Sequence, residues 1–241
     1  MNFCHTNEEI DEIGEGLIRK YDFEAFAAGQ ATDIEGFIMK QLKHQIVYDN
    51  FAEEDAGKLA FLGDGIAELT VWREGKRVKV VPPPKMIVLD NHLRQEIMQA
   101  PRRFKLAHEA GHIIMDMLCN RPVTASYNVE YDVERTYTIQ DLESIFSMRE
   151  HQATAMGVAL LMPKTLVIGL LNHLSSQKRI PIYGNSVLMN DDRILIRRMA
   201  DHFLVSYKSM FYRLRDLKLF EYRLIEDYLE KHLSEIGGTL C

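Results

Sequence analysis

The pattern His108-Glu109-Ala110-Gly111-His112, set in the apolar run of residues 104–119, constrains this chain more than any other stretch. In an α-helix, residues four apart lie one above the other, about 6 Å apart along the axis. Two imidazoles so placed reach one metal ion at about 2.0–2.1 Å, and Zn²⁺ is the usual occupant. Glu109 follows the first histidine, so its carboxylate borders the metal's open position without having to bind it. A general base for a metal-bound water belongs there.

The helical context supports this reading. Phe104, Ala107, Gly111, Ile114 and Leu118 recur at three- and four-residue spacing, Pro101 fits a first turn, and Pro122 stops the run. The alternative is a buried helix whose two histidines bond backbone or carboxylates.

The rest of the composition narrows the class. A net charge of −6 argues against a chain that coats nucleic acid, though a local basic patch is compatible with it. Cys4, Cys119 and Cys241 are odd in number, far apart and without a C-x-x-C, which suggests no disulfide framework and no cysteine zinc site. With no apolar signal core at the start and no run of the roughly 20 residues that span a bilayer, the expectation is a soluble cytoplasmic protein with no membrane partner.

In chain order, residues 1–44 read as an N-terminal helical support: 7–30 helical, then a second helix from near Thr32 or Asp33. Residues 45–90 are β-rich. Gln45–Tyr48, Ile66–Trp72, Arg77–Val81 and Met86–Leu89 are expected strands, with Arg73-Glu74-Gly75-Lys76 as a hairpin turn. They predict a small, mostly antiparallel sheet on which the metal helix packs. The core around the metal motif is then expected to cover 101–174, and C-terminal helices 191–236. No linker or composition shift divides 1–241, so one compact unit is expected. Residues 120–140 read as a loop beside the site, in which Tyr127, Tyr131 or Tyr137 could stabilise an oxyanion or touch substrate. His173 is a weaker candidate for the same work.

A catalytic zinc needs a third protein ligand. Glu143, Glu150 and His151 are the candidates, on a helix ended by Met162-Pro163. Glu150 opens an E-x-x-A pattern in which Ala153 lets two helices approach closely. Ser147-x-x-Glu150 is equally a capping box, which would spend the carboxylate on backbone. Spacing alone leaves the two readings level.

Arg103-Phe104-x-x-Ala107-His108-Glu109-x-Gly111-His112, then Glu150-x-x-Ala153, then Leu160-Leu161-Met162-Pro163 resembles the ImmA/IrrE family of metallo-endopeptidases. Met199–Ser206 and Arg213-Leu214-x-x-Leu217 are similar to a later segment of the same family, so the resemblance covers roughly 45–220. It implies a zincin-like α+β fold with His108, His112 and Glu150 as Zn²⁺ ligands and Glu109 as base. It also implies a regulatory protease whose protein substrate is a helix-turn-helix DNA-binding repressor of a phage or mobile element. Thr154 stands where the family often has Asn, and Met156-Gly157 where it has Phe-Ala. Thr154 and Asp116, each one turn beyond a ligand, are the candidates to support the ligands from behind.

Two other classes stay open. Residues 195–220 read like a helix-turn-helix, with Lys208, Arg213 and Arg215 on the second helix, so the chain could be a DNA- or partner-binding regulator with a structural or vestigial metal site. A toxin–antitoxin component is the other.

Overall fold

The computed structural model describes residues 5–52, 58–120, 126–127 and 147–237, with 126–127 and 232–237 as backbone only. It is a mixed α+β structure of helices and small sheets. The chain divides into two compact units, Met1–Lys164 and Thr165–Cys241, instead of the single unit expected over 1–241. The division falls just after Met162-Pro163, at the start of a helix, and no change in composition marks it.

The first unit starts with α1 (Asn7–Tyr21), whose capping box joins the Thr6 side chain to the Glu9 backbone and the Glu9 carboxylate to the Thr6 backbone. The helix expected to run to residue 30 breaks at Asp22, which accepts from the Ala25 N–H and starts α2 (Phe23–Ala27). Asp33 caps the next segment as the sequence suggests: α3 (Ile34–Gly36) continues into a π-turn over Phe37–Gln41.

Strands β1 (Gln45–Asp49), β2 (Ala60–Leu62), β5 (Met86–Asp90) and β6 (Ser126–Tyr127) form one sheet in the order β1-β5-β2-β6. β1 and β5 pair parallel, with Gln45 opposite Met86, while β2 runs antiparallel to both β5 and β6. The parallel pair departs from the simplest antiparallel expectation. A parallel neighbour needs a long crossover, which the intervening strands supply. β3 (Leu69–Arg73) and β4 (Lys76–Val80) make a separate hairpin. Its two-residue turn has positive φ at both Glu74 and Gly75, a shape that matches the strand twist. Phe61, Leu69, Val71 and Val88 are buried together between these strands.

The metal-motif helix, α4 (Gln99–Leu118), follows β5 after two short 3₁₀ turns and packs against β2. Pro101 lies in its first turn. It ends before Pro122, where Asn120 takes a left-handed conformation at φ 51°.

α5 (Met148–Leu161) also packs against α4, and in turn on α1. Small residues set this spacing. A Cβ on Gly111 would stand 2.1 Å from the Ala153 carbonyl oxygen, and one on Gly157 would stand 2.8 Å from that of Ala107. A Cβ on Gly14 of α1 would meet the Ala159 Cβ at 2.7 Å. Gly111→Ala should therefore destabilise the chain by about 1–3 kcal/mol or more, because a helix backbone must move to admit the methyl group. Denaturant unfolding checks this. The variant should also bind metal more weakly, because α5 carries Glu150.

In the second unit, β7 (Ile180–Tyr183) and β8 (Phe220–Arg223) pair parallel, with Ile180 opposite Phe220. The helices are α6 (Lys164–Leu174, all but its first residue in this unit), α7 (Asn190–Phe203), α8 (Tyr207–Asp216) and α9 (Ile225–Gly237). α7 and α8 pack together across a three-residue turn. Leu204 is left-handed there at φ 55°, and the Ser206 side chain caps α8 through the Ser209 N–H. Among the described residues, no single helix is long and apolar enough to cross a membrane.

Candidate metal centre

His108 and His112 project from successive turns of α4, and Glu150 projects from the first turn of α5. Their ligand atoms all lie within 4.8 Å of one another, and this group could hold a metal ion. His112 Nε2 is 3.0 Å from His108 Nε2, and Glu150 Oε2 is 3.2 Å from His108 Nε2 and 3.3 Å from His112 Nε2. Both histidines are buried and Glu150 is partly so.

The residues present fit a cation. Three donors around a tetrahedral ion with bonds of about 2.1 Å would stand about 3.3–3.4 Å apart, close to all three edges of this triangle. Without a cation the triangle is frustrated. Two Nε2–H groups cannot face each other at 3.0 Å, so at least one imidazole must turn a lone pair towards its neighbours. A positive ion at the centre satisfies all three donors at once.

Both readings of Ser147-x-x-Glu150 contain part of the outcome. Ser147 does cap α5, accepting from the Glu150 N–H at 3.3 Å, but the Glu150 carboxylate turns to the imidazoles. As the third residue of α5 it also sits where the helix dipole favours a negative charge.

Burial pushes the Glu150 carboxyl up, but hydrogen bonding with the His108–His112 imidazole pair, followed by the charge that pair can carry, outweighs it and holds the group at about 2 against an ordinary 4.5. A carboxyl lowered on folding contributes stability that is complete above the ordinary value and is lost as pH falls towards the folded one. In the metal-free chain, Glu150→Gln should therefore be less stable than wild type at neutral pH, and the gap should close as pH drops from 4.5 towards about 2. Unfolding of the two chains at stepped pH measures it.

Thr154, one turn after Glu150, places its Oγ1 3.1 Å from His108 Nδ1. With Nδ1–H donating to this hydroxyl, the Nε2 lone pair is aimed into the cluster. Thr154→Val keeps the shape and loses the acceptor, so metal affinity should fall about 10–100-fold in a competition titration against a chelating dye. His112 Nδ1 is buried and has no hydrogen-bond partner among the described residues.

Asp116 does something other than orient an imidazole. It is fully buried, and its carboxylate takes two hydrogen bonds from Arg149, at 2.7 Å from Nη2 and 3.3 Å from Nε. This bridge ties the end of α4 to the residue before Glu150, and no periodicity argument could have found it. Glu109 is fully buried on α4 beside His108. His151 is exposed, and His173 is exposed on α6 in the second unit; neither belongs to the cluster. Glu143, Tyr131, Tyr137 and the Tyr127 side chain lie outside the described residues, although the Tyr127 backbone pairs with Phe61.

Two of the three cations in the helix-turn-helix reading of 195–220 are engaged within the chain. Arg213 is buried, and Arg215 hydrogen-bonds Asp216 through Nε and Nη2, which leaves Lys208 from the expected set facing solvent without a carboxylate partner among the described residues. Comparison of the chain with models of known protein families gave no match, and comparison with curated proteins gave none either.

Proposed function

We propose that this chain is a zinc-dependent metallo-endopeptidase of the ImmA/IrrE kind, with a zincin-like first unit. The observation that carries the reading is the convergence of His108, His112 and Glu150 from two helices, with Glu109 buried beside the first histidine. A first-row divalent ion bound by two imidazoles and one carboxylate, with a coordination position left for water, is a hydrolytic centre more often than a structural one.

His108 and His112 would hold Zn²⁺ through Nε2 and Glu150 through its carboxylate. Zn²⁺ would supply a lowered water pKa and a polarised carbonyl. Glu109 would take the proton of the attacking water and pass it to the leaving amine, so that a peptide bond breaks as an amine and a carboxylate form. Thr154 would keep the His108 ring in the tautomer that ligates. Gly111, Ala153 and Gly157 would keep α5 close enough for Glu150 to complete the set.

The substrate class proposed is a protein, in keeping with the resemblance: a helix-turn-helix repressor cut as part of regulation. To test the reading, the purified chain is incubated with a library of peptides drawn from a proteome, and new termini are read by mass spectrometry. Cleavage should disappear on chelation and return with Zn²⁺. Cleavage that survives full removal of metal would refute it.

A further inference from the structure

The second unit carries a cleft of about 590 Å³ between α7 and α8, lined by three cations, Arg193, Arg197 and Lys208, and three aromatic rings, Tyr207, Phe211 and Tyr212. That volume lies within the range of small-molecule sites, roughly 300–1,000 Å³. No acidic side chain lines it, although the whole chain has a net charge of −6. None of the three cations pairs with a carboxylate among the described residues.

The sequence spacing explains the convergence. Arg193 and Arg197 are four apart on α7, and Lys208, Phe211 and Tyr212 share a face of α8. Arg193 is anchored by its Nε, which donates to the Leu188 carbonyl at 3.2 Å. The Arg197 guanidinium lies over the Tyr207 ring at 5.7 Å, and the Lys208 ammonium over Tyr212 at 5.9 Å. Both arginines also act on the Tyr207 phenol, offsetting part of the burial that raises its pKa.

We propose that this cleft binds a nucleoside di- or triphosphate, with Arg193, Arg197 and Lys208 taking the phosphates and the aromatic side chains taking the base. Unpaired cations in a concave site call for an anion with several charges. Rings among them call for a ligand that also has a flat apolar part. A nucleic-acid strand fits less well. It needs cations spaced along a track, whereas these three meet in one cleft, Arg213 is buried and Arg215 is turned to Asp216. An acidic peptide would supply charge without a reason for the aromatic lining.

The inference does not depend on the metal cluster, and chelators should leave the binding unchanged. Calorimetric titration of the full chain with ATP, GTP, inorganic tripolyphosphate, adenosine and a short single-stranded oligonucleotide tests it. ATP or GTP should bind, and adenosine and tripolyphosphate should each bind at least about tenfold more weakly, since each offers half of the ligand. Arg193→Gln together with Arg197→Gln should weaken nucleotide binding by about tenfold or more with the thermal melt unchanged. If the double variant melts early, Lys208→Gln alone should show a loss in the same direction. Absence of nucleotide binding at millimolar concentration would overturn the proposal, as would equal binding by the variants. An oligonucleotide binding more tightly than the mononucleotides, with affinity rising with its length, would overturn it in favour of a nucleic-acid surface.

Discussion

Replacing Glu109 by glutamine should leave the fold and the bound metal in place while lowering peptide hydrolysis by about 10²–10⁴-fold. Glutamine has the size and shape of glutamate, so the fully buried position stays filled and α4 keeps its packing on β2 and α5. The amide cannot accept the proton of the attacking water at neutral pH. None of the three residues of the metal cluster is altered. Metal content and cleavage measured on the same preparation give the answer. A variant that keeps both its metal and full cleavage would assign the base to another residue. A variant that loses the metal would place Glu109 among the supports of the cluster.

His112→Ala should have the opposite signature: a chain that no longer responds to metal at all. His112 supplies one of three donors and is 0% exposed, so no solvent-facing side chain can swing in to replace it. A ligand that binds only the folded chain stabilises it by about 2.7 kcal/mol at roughly 100 times its dissociation constant. For a chain of this size, that is a rise in melting temperature of about 5–10 °C. Wild type should show this rise on adding Zn²⁺ to metal-free protein, and His112→Ala should show none. The alanine also leaves a cavity and lowers the starting stability. The readout is therefore the shift on adding metal, and an equal shift in both chains would remove His112 from the ligand set.

The parts of this arrangement legible in the sequence are those governed by short-range periodicity. The four-residue step from His108 to His112, the Asp33 cap, the Glu74-Gly75 hairpin turn and Met86–Leu89 as a strand ahead of α4 all depend on neighbours within one or two turns. The partnership of Glu150 with the histidines was one of two readings, because Ser147-x-x-Glu150 has a local use as well. The backbone half of that local use is present, and the side-chain half is spent on the cluster.

Contacts set by tertiary packing were illegible. Asp116 reads as a helix-surface acid until Arg149, 33 residues away, is brought against it. Gly157 reads as a departure from a pattern, whereas it is the point where α5 touches the α4 backbone. The parallel pairing of β1 with β5 depends on a crossover of intervening strands, and alternation within each strand is blind to it. Arg213, with charge and spacing suited to a DNA contact, is buried.

X-ray absorption at the zinc edge, on the full chain reconstituted with one equivalent of Zn²⁺, tests the central claim most directly. The expected spectrum has two imidazole nitrogens at about 2.0–2.1 Å and carboxylate and water oxygens at about 2.0–2.2 Å, with no sulfur in the shell. In His112→Ala the imidazole signal should disappear with the bound zinc, leaving the spectrum of free Zn²⁺. A chain that takes up no zinc, or binds it through sulfur, or gives the same spectrum after His112→Ala, would contradict it.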